Sequence, residues 1–135
     1  DIIKLAHGEY ISLVKIESKV ASCPLIDMNC VLPISSMEYL IALIIPNRPR
    51  VKEYLKNHSV DVDKKSMDEL LDDPSIQSKL SDKIMEHISA DLSKFEKPRK
   101  IYILADIWTP EKNLITPTVK LKRREIARYY QYLTK

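Results

Sequence analysis

Apolar positions in this chain recur at two spacings, and the switches between them predict its elements. Ile2-Ile3-Lys4-Leu5 and Glu9-Tyr10-Ile11-Ser12 read as two short extended pieces around Gly8. Gly8 permits the positive φ that a tight reversal needs, so the two pieces form a hairpin. Leu13, Ile16 and Val20 then follow at steps of 3 and 4, which predicts a helix capped by Ser12 and ended by Pro24. Cys30 to Ile34 and Tyr39 to Ile45 read as strands joined by Ser35-Ser36-Met37-Glu38, an antiparallel hairpin. Pro33 places the first strand at an edge or a bulge. The second is apolar on both of its faces, so it is expected to be central and covered on both sides.

Beyond Pro49, the pattern predicts a helix with Val51, Tyr54 and Leu55 inward. Residues 57–65 are polar and read as a loop. Ser66-Met67-Asp68-Glu69 fits a capping box that opens a short helix. Asp73-Pro74 is a cap followed by proline at the first helical position. Ile76, Leu80, Ile84, Ile88, Leu92 and Phe95 then recur at helical steps, predicting one long helix closed by Pro98. Ile101 to Ile107 reads as a third buried strand, Trp108 to Val119 as a loop, and Lys122 onward as a helix burying Ile126, Tyr130 and Leu133. The expected class is α+β: a small three-stranded, mainly antiparallel sheet plus an N-terminal β-hairpin, packed by about five helices.

Composition narrows the chemistry. The chain has 135 residues, 44% of them hydrophobic and 30% charged, as in an ordinary globular domain. No apolar run approaches the ~18 residues of a membrane span. The net charge of +3 is too mild to argue by itself for nucleic acid. Cys23 and Cys30 do not form a CxxC pair and read as buried free thiols. There is one glycine, where average composition would give about nine. Neither a Walker loop nor a G-x-G-x-x-G turn is therefore present, and a nucleotide handled by this protein needs a pocket supplied elsewhere. The absence of an initial Met suggests a piece of a longer chain or a processed product.

No nucleophile–base pair stands at a recognisable spacing. His7, His58 and His87 are far apart in sequence and outside any metal motif. Asp61-Val62-Asp63 hints at a calcium loop, but Ser66 stands where that loop needs glycine. One stretch is unusual: Trp108-Thr109-Pro110-Glu111-Lys112-Asn113-Leu114-Ile115-Thr116-Pro117-Thr118-Val119-Lys120-Leu121-Lys122-Arg123. A proline-stiffened loop here delivers Lys120 just before a helix. A lysine so held can act as a point charge on a phosphate or carboxylate. Charge pattern alone also allows Lys120, Lys122, Arg123 and Arg124 to be a solvated basic face.

This stretch resembles the W-T-P-E-x-x-L-(L/I)-T-P-T-x-K-x-K-R signature of long-chain fatty acyl-CoA synthetases, which are adenylate-forming enzymes. The opening Asp1-to-Glu17 segment resembles that family's D-L-V-K-L-x-x-G-E-Y-V-S-L-x-K-V-E motif. Between them C-P-L-I-D, Y-L-I-A-L-I-I-P-N and the long helix stand in the family's order, so the likeness spans the chain. It implies that residues 1–135 are the C-terminal lid domain of a long-chain fatty-acid–CoA ligase, with the hinge just before Asp1. A large N-terminal domain would bind ATP, Mg2+ and the long-chain fatty acid, and coenzyme A would enter at the thioester step.

Carried over by resemblance, Lys120 is the lysine that reaches the carboxylate and the α-phosphate during adenylation. Gly8 is the hairpin-tip glycine that approaches the pantetheine arm of CoA. Lys4 is a hinge-motif lysine pointing to the active site in the lid orientation that supports thioester formation, while Glu17 and Trp108 are structural. Val119 stands where the wider superfamily usually has glycine, and the long-chain branch lacks that glycine too. Asn113, which tolerates a left-handed turn, precedes Leu114, where many relatives have glycine. The resemblance implies no nucleic-acid partner, no metal ligands in this chain and an isolated chain without activity. Its location would be intracellular: cytoplasmic, or membrane-associated at the endoplasmic reticulum, mitochondrial outer membrane or peroxisome in a eukaryote. The alternatives are a module using Lys120 to Arg128 on nucleic acid or an anionic membrane, and the lid of another adenylating enzyme. The T-P-T-V-K-L-K-R variant disfavours the last.

Overall fold

A computed structural model describes residues 2–34 and 36–134. The first two strands, β1 (Ile2–Lys4) and β2 (Tyr10–Ser12), pair antiparallel with Ile3 opposite Ile11 and Lys4 opposite Tyr10. Helix α1 (Leu13–Val20) starts at once, because Ser12 accepts a bond from the Lys15 N–H at 3.2 Å. Its Leu13, Ile16 and Val20 are buried as the spacing requires.

The second sheet holds β3 (Ile26–Ile34), β4 (Tyr39–Pro46) and β5 (Lys100–Ile103) in the order β3-β4-β5. β3 is an edge strand, which accommodates Pro33, and it pairs antiparallel with β4. Ser35 of the expected turn lies outside the described residues, as do Asp1 and Lys135. β4 is central and divides the core in two. Leu40, Ala42 and Ile44 face one cluster, with α1 and the middle helices; Ile41, Leu43 and Ile45 face the other, with Trp108, Leu114, Ile126 and Tyr130. Each such aliphatic side chain contributes about 1.5–3 kcal/mol on burial, so both faces of β4 are covered from within this chain.

Three helices follow: α2 (Arg48–Asn57), α3 (Met67–Asp72) and α4 (Pro74–Ser89). Ser66 and Glu69 form the expected capping box, and Asp73 caps α4 through the Ser75 N–H at 2.8 Å. This long helical return brings β5 in beside β4 in the same direction, so the sheet is mixed, with one antiparallel and one parallel pair. The fold is α+β with five α-helices among the described residues, the last being α5 (Arg123–Tyr129).

Two elements end earlier than their apolar spacing predicts. Helix α4 stops at Ser89, although Leu92 stays buried and Phe95 lies partly exposed against His7. There the Ser89 hydroxyl donates to the Met85 carbonyl at 2.6 Å, and the Glu96 carboxylate accepts the Ser93 N–H at 2.8 Å. The Ser93 N–H, which a continued helix would direct to the Ser89 carbonyl, is thus taken by a side chain. The third strand stops at Ile103, not Ile107. β4 runs out at Pro46, which has no N–H to continue a ladder, and the last parallel contact is the Leu104 N–H to Ile44 at 2.8 Å. The Gln77 side chain covers the outer edge, donating to the Ile103 carbonyl and accepting its N–H.

Candidate active site

The Lys120 loop is built outward from the core. Trp108 is buried, and its indole N–H donates to the Tyr130 hydroxyl at 2.8 Å, which in turn donates to Asp106 at 2.6 Å. Burial, then the bond to Asp106, hold the Tyr130 phenol well above its usual range. The chain of bonds pins the start of the loop to the end of α5, as a packing role for Trp108 requires. Thr109 caps the short turn Pro110–Lys112, and Asn113 closes it at φ +63°, the left-handed conformation that asparagine tolerates. Leu114 and Ile115 then turn inward, and Ile115 bridges Leu121.

Between those two lies a small hairpin loop carrying Lys120. The Val119 N–H bonds the Thr116 carbonyl at 2.9 Å and the Thr116 N–H bonds the Lys120 carbonyl at 2.8 Å. The Lys120 N–H donates to the Thr116 hydroxyl at 3.0 Å. Val119 sits at φ +67°, which costs an L-residue roughly 1–2 kcal/mol. Lys120 is exposed, and its ammonium forms no ion pair with the other described residues. The backbone is fixed while the charge is free.

Arg123, at the start of α5, ties this loop to the N-terminal region. Its guanidinium grips both oxygens of Glu17 in α1, one bond measuring 2.8 Å, and donates to the Val31 carbonyl at 2.8 Å. The Glu17 carboxylate also accepts the Val31 N–H at 2.7 Å. Glu17 is buried, and its bonds are the first cause of the upward shift of Arg123. The Cys30 thiol lies against the same guanidinium, yet burial outweighs it and pushes the thiol up to about 12. Burial also raises Cys23. Both thiols are therefore expected to resist iodoacetamide at pH 8 in the folded chain and to react in denaturant. Labelling Cys30 under native conditions at the denatured rate would contradict this.

Gly8 closes the other candidate region. It takes φ +101°, donates to the Leu5 carbonyl at 2.9 Å, and has open space where a Cβ would stand. Lys4 is exposed, with its ammonium 5.6 Å from the centre of the Tyr10 ring. The hairpin tip leans on the rest of the fold through the Ala6 N–H to the Met37 carbonyl at 2.9 Å and the His7 ring, tilted against Phe95 with centroids 4.4 Å apart. Beside it is a cavity of about 410 Å³ lined by His7, Lys94, Phe95, Lys97 and Arg99, with Glu38 the acidic member. Arg99 lies 4.2 Å above the Tyr39 ring. A larger groove, about 640 Å³, follows the outer edge of β5 and contains none of the expected site residues.

Gly8 and Lys4 thus share one hairpin, whereas Lys120 stands on a separate loop, and neither cavity includes it. The charge pattern allowed Arg123 a place on a solvated face and did not reveal it as the link to Glu17. The signal was available: Arg123 shares a helix face with Ile126 and Tyr130, both buried. The cationic cluster beside the hairpin was also missed, since only folding carries His7 to Lys97 and Arg99.

No family model matches the chain. Among solved structures, the A-PCP didomain of carboxylic acid reductase from Segniliparus rugosus, in complex with AMP, superposes with a TM-score of 0.70 and 26% identity. That match covers 98% of this chain and 16% of that one. The fold is thus one found within adenylate-forming enzymes. The chain is 33% identical over 127 residues to long chain acyl-CoA synthetase 8 of Arabidopsis thaliana, covering 93% of this chain and 17% of that protein. It is 31% identical over 131 residues to fatty acyl-CoA synthetase B of Dictyostelium discoideum, covering 97% of this chain and 19% of that protein. This chain is homologous to a segment of the long-chain acyl-CoA synthetases, and it spans less than one fifth of the length of these two relatives.

Proposed function

We propose that this chain is the C-terminal lid of an ATP-dependent, AMP-forming long-chain fatty-acid–CoA ligase, with Lys120 serving the adenylation step. The observation that carries this reading is the Lys120 loop: a fixed backbone presenting an unpaired ammonium, in a chain homologous to these ligases. In adenylation a fatty-acid carboxylate oxygen forms a bond to the α-phosphorus of ATP, and pyrophosphate leaves. Two anions must meet, and a preorganised cation between them offsets their repulsion and the charge developing in the transition state.

The second step would use the Gly8 hairpin. The CoA thiol attacks the acyl carbonyl and AMP leaves. Gly8 lets backbone approach the pantetheine arm closely, and the cationic cavity beside it suits the phosphates of the CoA nucleotide. Lys4 adds a positive charge on the same hairpin. Among the described residues no group of three His, Cys, Asp or Glu is placed to hold a metal ion. In this reading ATP and its Mg2+ are bound mainly by the N-terminal domain of the ligase.

The test is fatty-acid-dependent ATP–pyrophosphate exchange by the full-length protein and by this chain alone. Exchange is expected with long-chain fatty acids in the first and none in the second. Exchange driven only by aryl or amino acids would move the protein to another adenylating class. Acyl-CoA formation by the chain alone would overturn the lid assignment.

A further inference from the structure

We propose that Thr116 is the positioning residue for Lys120, its hydroxyl holding Val119 in the left-handed conformation that sets the direction of the lysine where the loop ends. The inference rests on the adenylation role of Lys120 and adds how a loop without glycine can hold it.

Three-residue hairpin loops end on a left-handed residue, a position suited to glycine. Here that position is Val119, at φ +67°. Positive φ is uncommon for any residue with a Cβ and a genuine outlier for a β-branched one. Packing does not hold it there, for Val119 is 61% exposed. What remains is hydrogen bonding, and the bonds converge on one residue. The Thr116 carbonyl is taken by the Val119 N–H and the Thr116 N–H by the Lys120 carbonyl. The Lys120 N–H therefore turns to the Thr116 hydroxyl at 3.0 Å, and that hydroxyl is steadied by Thr118 at 3.1 Å. Side chain and main chain of Thr116 thus bracket the lysine on both sides.

Without the hydroxyl, the peptide between Val119 and Lys120 loses its acceptor, and Val119 is free to relax to negative φ. That relaxation re-aims Lys120. A glycine at 119 carries no such bias, so it makes the hydroxyl dispensable. Thr116 and residue 119 should therefore be energetically coupled.

The experiment has two arms. In this chain, NMR reads the intraresidue HN–Hα cross-peak of residue 119, which is strong at positive φ. It is expected to be strong in the parent and in Thr116→Ser, and weak in Thr116→Val. In the full-length ligase, Thr116→Val is expected to lower the adenylation kcat about 10- to 100-fold, the scale of a misplaced catalytic group. Thioester formation from supplied acyl-adenylate should stay at the parent rate. Thr116→Ser should retain adenylation, and Val119→Gly should restore most of it in the Thr116→Val background. A strong cross-peak in Thr116→Val, equal loss of both half-reactions, or no restoration by Val119→Gly would overturn the proposal. If the parent ligase shows no fatty-acid-dependent exchange, the functional reading falls, and the cross-peak alone decides whether Thr116 holds Val119.

Discussion

On the proposed lid reading, replacing Lys120 with alanine in the full-length protein is expected to slow acyl-adenylate formation about 10²–10³-fold, the cost of removing one preorganised group that stabilises transition-state charge. Thioester formation from supplied acyl-adenylate should continue at the parent rate, because the second step is assigned to the Gly8 hairpin. The fold should not notice. Lys120 is exposed and forms no ion pair with the other described residues, and such surface changes usually stay within about 0.5 kcal/mol. Stability, adenylation and thioester formation can be measured on one preparation. Equal loss in both half-reactions would mean that Lys120 is not specific to the first. An unchanged adenylation rate would remove it from the mechanism.

Glu17→Ala should lower stability by about 3 kcal/mol, the low end for breaking a buried ion pair, because the carboxylate is buried and the Arg123 side chain only 26% exposed. The Arg123 guanidinium would lose both carboxylate contacts, and the Val31 N–H would lose its acceptor. Arg48–Asp68 provides the contrast. It is a 2.7 Å pair whose side chains are 36% and 68% exposed, so Asp68→Ala should cost at most about 1 kcal/mol. Urea unfolding of this chain measures both. A Glu17→Ala loss no larger than that of Asp68→Ala would show that Arg123 finds other partners and that the tie between α1 and α5 is not a structural anchor.

The tie also joins the two motifs that carry the family resemblance. Glu17 belongs to the N-terminal motif and Arg123 to the loop motif, 106 positions apart in sequence. Both are charged residues in helices with an inward face, and each lies at a helical step from buried apolar neighbours. That spacing was readable in the sequence. Their meeting was not, since nothing local tells Glu17 which cation will reach it. The Lys120 loop divides in the same way. Its prolines, Asn113 and Trp108 announce an ordered loop, but the left-handed Val119 follows from bonds to Thr116 that appear only once Ile115 and Leu121 are paired.

The sequence by itself determined the features that depend on neighbours a few residues away. Ser12, Ser66 and Asp73 cap their helices because each side chain reaches an N–H two or three residues on. Gly8 turns its hairpin because it lacks a Cβ, and the unbroken apolar run of β4 demands cover on both faces. Only the tertiary structure decided where α4 and the last strand stop, and which way β5 runs. Those outcomes depend on Pro46 ending the ladder, on polar side chains diverting backbone bonds, and on three helices separating β4 from β5. It also decided that Lys120 stands free while Arg123 is half-buried and paired with the buried Glu17. Two cations three residues apart look alike in a charge pattern, and packing alone tells them apart.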